Sequence, residues 1–360
     1  MILGGGTGRR RPAGRGRDAL CAALVLCATL LLLAACTAPR QTGSARPSGA
    51  PPTAVVPTVT PGSVPPTAAS VPTTVATSAP APTVPLAFSV DRTLADTLAL
   101  ERFGRRVAGT AEEKAGADYV ARRLRAMGYA VTIEKFAVPG GISRNVTARK
   151  RGDDRRVLVL SGHIDSKPTT PGANDNALGC AIVLDMARIF AKETPPASLE
   201  FTLFGAEEYN DGAHKDHHRG SRYHVAHMSK AQRGRTIGMI SLDVVGYGAA
   251  LHTRTMRIGP MTMSDYILRR AKKLGFRVTY SKDPGPTGWS DHEAYEKAGI
   301  PAVWLERLQD PQYHKPGDTT AHLQRSAVRI AGRLVLDAVR SMNAVEVARI
   351  TGHKVVSSGE

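Results

Sequence analysis

Residues able to do chemistry together gather at a few points along this chain of 360 residues. They are Ser161-Gly162-His163-Ile164-Asp165-Ser166, then Ala173-Asn174-Asp175-Asn176-Ala177, then Gly205-Ala206-Glu207-Glu208, then Ser241-Leu242-Asp243, and finally Tyr313-His314 with Asp318-Thr319. Taken singly they are ordinary. A histidine or aspartate that ends a strand is commonly a turn or cap, and Glu207-Glu208 alone would suit the start of a helix, where the dipole favours acids. Taken together they supply two imidazoles and several carboxylates without a thiolate, a donor set that suits zinc in a hydrolytic role. One carboxylate shared by two such ions can hold them about 3.5–4 Å apart.

The elements around these residues explain how they could meet. Residues 156–160, 199–204 and 239–242 are short apolar runs of buried-strand length, and each ends in polar residues. A further strand is expected at 302–305, and a hairpin at 131–138 and 145–150 with Gly140-Gly141 at its turn. Helical periodicity covers 112–127, 177–191, 221–230, 263–274, 291–298 and 323–342. This alternation predicts an α/β fold: a three-layer sandwich with a central mixed, largely parallel sheet flanked by helices. In such folds ligands bind beyond the carboxyl ends of the strands, which is where the candidate residues stand. No internal repeat and no inserted second domain is evident.

The remainder of the chain reads as an address and a tether. The formal charge is +17, and five arginines against one aspartate in residues 1–35 leave about +13 for the rest. A basic balance draws a protein toward anionic surfaces, but no nucleic-acid motif is present and aromatics are few, so no nucleic acid is expected as a partner. An arginine-rich start precedes an apolar run over residues 19–35, the pattern of a secretory signal. It ends Leu33-Ala34-Ala35-Cys36, which resembles a bacterial lipobox and implies acylation of Cys36. Residues 1–36 are therefore expected to be a lipoprotein signal peptide, placing the protein on the extracytoplasmic face of the cell membrane. Residues 37–86 form a Pro/Thr/Ala-rich linker, with 12 of the 24 prolines and no aromatic. The folded domain is expected over 87–345 and a polar tail over 346–360. Beyond Cys21 and Cys27 in the signal and Cys36, only Cys180 remains, so no disulfide framework is expected; Cys180 reads as a small buried hydrophobe.

In order and spacing, the motifs over residues 144–320 resemble those of the M28 family of zinc aminopeptidases. The resemblance implies a zinc-exopeptidase fold and two zinc ions: His163 and Asp243 on one, Glu208 and His314 on the other, Asp175 bridging. It implies Glu207 as general base, Asp165 orienting the His163 imidazole, and Tyr313 near the oxyanion. Peptides would be the substrates, losing residues from their N-termini by attack of an activated water. Ser290-Asp291-His292 matches a family stretch near the substrate pocket, with His292 read as structural or pocket-lining; Trp289 and Tyr295 are candidate pocket aromatics. Two features depart from the pattern. Leu178 stands where a serine is common, which bears on packing. The connection 209–219 is longer than usual and holds His214, His217 and His218. It reads as a polar surface loop or, more sharply, as a loop over the site. It also suggests glutaminyl cyclases, which share the fold and use one zinc. A cyclotransferase and a non-catalytic peptide-binding surface lipoprotein are the competing readings.

Overall fold

The computed structural model describes residues 85–209, 217–283, 287–307 and 309–352. The expected signal and linker up to residue 84, with Cys36, lie outside the described residues, as does His214. In chain order the elements are α1 (Val90–Glu101), α2 (Ala111–Ala126), β1 (Val131–Val138), β2 (Gly141–Lys150), β3 (Asp154–His163), α3 (Leu178–Lys192), β4 (Ala197–Phe204), α4 (Arg219–His227), α5 (Lys230–Arg235) and β5 (Thr236–Leu242). Then come β6 (Leu251–Thr255), α6 (Thr262–Lys273), β7 (Val278–Lys282), α7 (His292–Lys297), β8 (Ala302–Glu306), α8 (Arg325–Arg340) and α9 (Ala344–Thr351).

The strands form one sheet in the order β1-β2-β4-β3-β5-β8-β6-β7. Its four middle strands, β4, β3, β5 and β8, are mutually parallel; β1 and β2 are added antiparallel on one side, and β6 joins β8 antiparallel on the other. The strand period of two distributes side chains between two cores. Leu158, Leu160, Ile240, Leu242, Val303 and Leu305 enter the larger core with residues of α2, α3, α6, α8 and α9. Val159, Met239 and Ala302 face the other way, against Val225 of α4 and Tyr295 of α7. Helices therefore cover both faces, and the sandwich is three-layered as expected. On α8, Val328, Ala331, Val335, Ala338 and Val339 recur at helical spacing and are buried, while its arginines face out.

Helix α9 runs past the expected end of the domain. Asn343 caps it by accepting a hydrogen bond from the Glu346 amide, and Val347 and Ile350 are buried in the larger core. The stretch expected as a tail from residue 346 thus contributes packing as far as Ile350. Among the described residues no helix is long and apolar enough to cross a membrane.

One buried charge cluster ties α4 to the sheet and carries a pH-dependent stability. His224 has Nδ1 3.0 Å from Glu134 on β1 and Nε2 3.1 Å from Glu200 on β4. Burial alone would lower its pKa, but the two carboxylates outweigh burial and lift it to about 9. The unfolded value is about 6.5, so the contribution is complete below pH ~6.5 and is lost as pH rises through the folded value. It is of order 3 kcal/mol at most. Urea midpoints of the wild type should fall between pH 6 and pH 10, and His224→Gln should be less stable at pH 6 with a flatter profile; parallel profiles would remove His224 as the cause.

Candidate metal centre

The carboxyl ends of the parallel strands carry the candidate residues to one rim. His163 is the last residue of β3, Glu207 and Glu208 follow β4 by three and four residues, and Asp243 follows β5 directly. Asp175 arrives on the turn before α3. That turn needs Gly172, whose φ is 63° and where a Cβ would lie 2.4 Å from the Asp175 carbonyl oxygen. His314 comes from the loop after β8.

Two donor triads result, His163/Asp175/Asp243 and Asp175/Glu208/His314, each able to hold a metal ion. Asp175 belongs to both and divides its oxygens between them. Its Oδ1 is 3.2 Å from His163 Nε2, and its Oδ2 is 3.1 Å from His314 Nε2. Asp243 Oδ1 completes the first triad at 3.4 Å from His163 Nε2, and Glu208 Oε1 the second at 3.1 Å from His314 Nε2. The fit to a cation can be tested on unsatisfied atoms. His163 Nε2, Asp175 Oδ2, Asp243 Oδ1, Glu208 Oε1 and His314 Nε2 are all buried with no hydrogen-bond partner. Buried polar atoms are rarely left so, and five converging ones suit a bound ion. Against burial, which acts in the opposite direction, the surrounding carboxylates raise both imidazoles, His314 to about 10. Metal uptake here would displace protons. Burial is unequal: His163 is 1% exposed at its side chain and His314 31%.

Supporting groups fix these donors. The His163 Nδ1 is 3.2 Å from the carbonyl oxygen of Asp165 and 3.6 Å from its carboxylate. A proton on Nδ1 toward that carbonyl leaves Nε2 free for the metal. The Asp165 carboxylate is chiefly engaged elsewhere: it accepts from the amides of Glu207 and Glu208 at 3.0 and 2.9 Å. Asp318 does the same for the Asp175 turn, accepting from the amides of Asn174 at 2.7 Å and Asp175 at 3.2 Å. Three further supports come from residues to which the sequence assigns no role at the donors. Ser290 donates to Asp243 Oδ2 at 2.8 Å. Lys167 pairs with Glu208 Oε2 at 2.8 Å. Arg106, fully buried, donates to the carbonyls of Ile164, Pro171 and Gly172 and so ties the His163 strand end to the Asp175 turn. Lys167 and Arg106 belong to no quoted motif, and although Ser290 stands in the Ser290-Asp291-His292 stretch, its contact with Asp243 is revealed only by the folded chain.

The remaining candidates divide. The Tyr313 ring stacks on His314 with centroids 3.7 Å apart and is 45% exposed, beside the donors and open to solvent. His292 is buried and lies 2.8 Å from Asp283, and Tyr295 is part of the smaller core, so both are interior packing residues. Trp289 is 52% exposed. Cys180 is buried with its thiol pushed up to about 12 by burial, as suits an inert residue, and Leu178 packs in the larger core. His218 departs most from a surface-loop reading: it is buried, with Nε2 3.2 Å from Glu207 Oε1.

The chain belongs to peptidase family M28, whose model matches residues 145–339. It is 29% identical over 221 residues to aminopeptidase YwaD of Bacillus subtilis, an alignment covering 58% of this chain and 46% of YwaD. It is 30% identical over 215 residues to leupeptin-inactivating enzyme 1 of Streptomyces exfoliatus, with the same coverages of 58% and 46%. It is 28% identical over 232 residues to the probable lipoprotein aminopeptidase LpqL of Mycobacterium tuberculosis, covering 55% of this chain and 45% of LpqL. The chain thus spans about half the length of these curated relatives. Among solved structures, an aminopeptidase from Aneurinibacillus sp. strain AM-1 has a TM-score of 0.63 at 19% identity, covering 70% of this chain and 93% of that one. A glutaminyl cyclase of Bacteroides thetaiotaomicron matches equally, with a TM-score of 0.63 at 22% identity, covering 71% and 98%. At these identities the two likenesses concern the fold.

Proposed function

We propose that this chain is a zinc-dependent aminopeptidase that removes residues from peptide N-termini, exported and held at the cell membrane through acylated Cys36. The observation that carries the catalytic reading is the division of Asp175 between two triads of unsatisfied donors, with Glu207 beside them and outside both. The M28 membership and the names of the curated relatives support the peptidase assignment; likeness to a probable lipoprotein supports the anchor. Loss of labelled palmitate from a Cys36→Ala variant would test the anchor.

In this reading His163 and Asp243 would hold one ion and Glu208 and His314 the other, with Asp175 offering one oxygen to each triad. Bound zinc supplies Lewis acidity toward the scissile carbonyl and makes water more acidic. The protein's own work is to move the proton. Burial pushes the Glu207 carboxyl up, against the opposing pull of His163 and His218, and its place beside but outside both triads makes it the group able to take the water's proton and return it to the leaving amine. Its Oε2 lies 3.9 Å from His163 Nε2 and faces the donor cluster. Lys167 holds the second oxygen of Glu208 away from that role. Tyr313 is assigned to the oxyanion, on the strength of its exposed ring against His314.

The test is a zinc count on the purified chain joined to an assay on Leu-anilide and Gln-anilide peptides. An aminopeptidase should hold two ions and release the anilide group of Leu substrates. One ion with cyclisation of N-terminal glutamine would transfer the reading to the cyclotransferases, and binding without turnover across a broad peptide library would leave a binding protein. Chelation adds a second expectation. The half-site containing His314 is the more exposed, so zinc should leave in two phases, and His314→Ala should abolish the fast one. A single-phase loss would contradict the inequality of the two halves.

A further inference from the structure

The connection that begins after Glu208 returns to the rim with its ends tied together. The Arg219 amide donates to the Ala206 carbonyl at 3.0 Å, and the His218 amide to the Glu207 carbonyl at 2.9 Å. Ala206 and His218 both take left-handed backbone, with φ of 51° and 60°. Such conformations are disfavoured for residues with a Cβ and persist where the surroundings hold them. Gly220 lets the returning chain lie against the outgoing one, since a Cβ there would meet the Gly205 carbonyl oxygen at 2.3 Å.

This backbone sets the His218 ring between two buried glutamates. Its Nε2 is 3.2 Å from Glu207 Oε1 and its Nδ1 2.6 Å from Glu293 Oε2. Glu293, on α7, is held in turn: its Oε1 meets Arg222 at 3.2 Å and also Lys297. A line of charge-assisted contacts thus runs from α4 and α7 to one oxygen of Glu207, leaving the other oxygen toward the metal donors. We propose that His218 and Glu293 are positioning residues that hold the Glu207 carboxylate in its working orientation. The proposal rests on the peptidase reading above for what Glu207 does, and on the contacts alone for how it is held.

Zinc-loaded full-length protein carrying His218→Ala should lose about 30–100-fold in kcat with KM within about threefold, because a base freed to rotate is misplaced by about 1 Å or more. Zinc content should stay at the wild-type value. His218→Gln, whose amide can still donate to Glu207, should regain about tenfold of that loss. Glu293→Gln should lose about 5–10-fold although it does not touch Glu207. If His218→Ala does not fold, the glutamine variants carry the test. Values of kcat within twofold of wild type for both His218 and Glu293 variants would overturn the proposal, and so would equal losses in His218→Gln and His218→Ala. Should the zinc-loaded wild type cleave no peptide, the functional reading falls, and crystal structures decide the positioning. Displacement of Glu207 by more than about 1 Å in the His218→Ala variant supports it, and an unmoved Glu207 overturns it.

Discussion

Replacing Glu207 with glutamine is expected to lower kcat by a factor of about 10²–10⁴ while leaving zinc content unchanged. The reason for the separation is geometric. Glu207 is outside both donor triads, whereas Glu208 Oε1 is buried, unsatisfied and 3.1 Å from His314 Nε2. Glutamine has nearly the same volume, keeps an oxygen that can accept from His218, and cannot accept a proton from water at neutral pH. Fold and metal site should therefore persist as the proton-transfer step fails. Metal analysis beside kcat on Leu-anilide reads both quantities from one preparation. Loss of zinc from the variant would mean that the roles of Glu207 and Glu208 are exchanged.

Asp165→Asn should damage both properties at once. The Asp165 carboxylate is fully buried and accepts from two successive amides, those of Glu207 and Glu208. Asparagine offers one carbonyl oxygen and an NH2 group, so one amide would face a donor and lose its partner, a cost of about 1–3 kcal/mol in the interior. The displaced segment carries the proposed base and a proposed ligand together. We expect zinc affinity to weaken about 10–100-fold, as is usual when outer-sphere partners of a metal site are lost, and kcat of the metal-saturated variant to fall by about 10². Competition titration against a chromophoric chelator gives the first, and assay at saturating zinc the second. If Asp165 served only to orient His163, its variant would lose metal yet recover full kcat at saturation. The contrast with Glu207→Gln separates a residue that transfers a proton from one that holds the residues doing so.

The parallel strands are legible in the sequence because each is a short, mostly apolar run ending in polar residues, with Glu200 and Thr202 as polar members within β4, and this also makes the common rim legible. What the apolar pattern missed is physically different. Helix α1 buries Thr93, Asp96 and Thr97, polar positions made acceptable by contacts such as those of Asp96 with Tyr119 and Arg123. Hydropathy does not register burial of that kind. Strands β6 and β7 are five residues each, with polar side chains, and β7 is half exposed at the edge of the sheet. In the centre, the motif residues were identifiable by type and spacing, whereas Ser290, Lys167 and Arg106 act through contacts made across the fold. His218 was visible as one of three histidines in a long connection. Its burial against Glu207 depends on backbone conformations at Ala206 and His218 that residue type does not announce.

The tied ends of that connection separate its length from its geometry. The hydrogen bonds between residues 206 and 219 and between 207 and 218 form the neck of a ring, and the number of residues in the ring does not enter the neck's dimensions. For a flexible ring, doubling the length adds only about 0.6 kcal/mol of closure entropy. The register of Glu207 and His218 is therefore a property of the neck, and it is expected to survive a change in the number of residues between Tyr209 and His217.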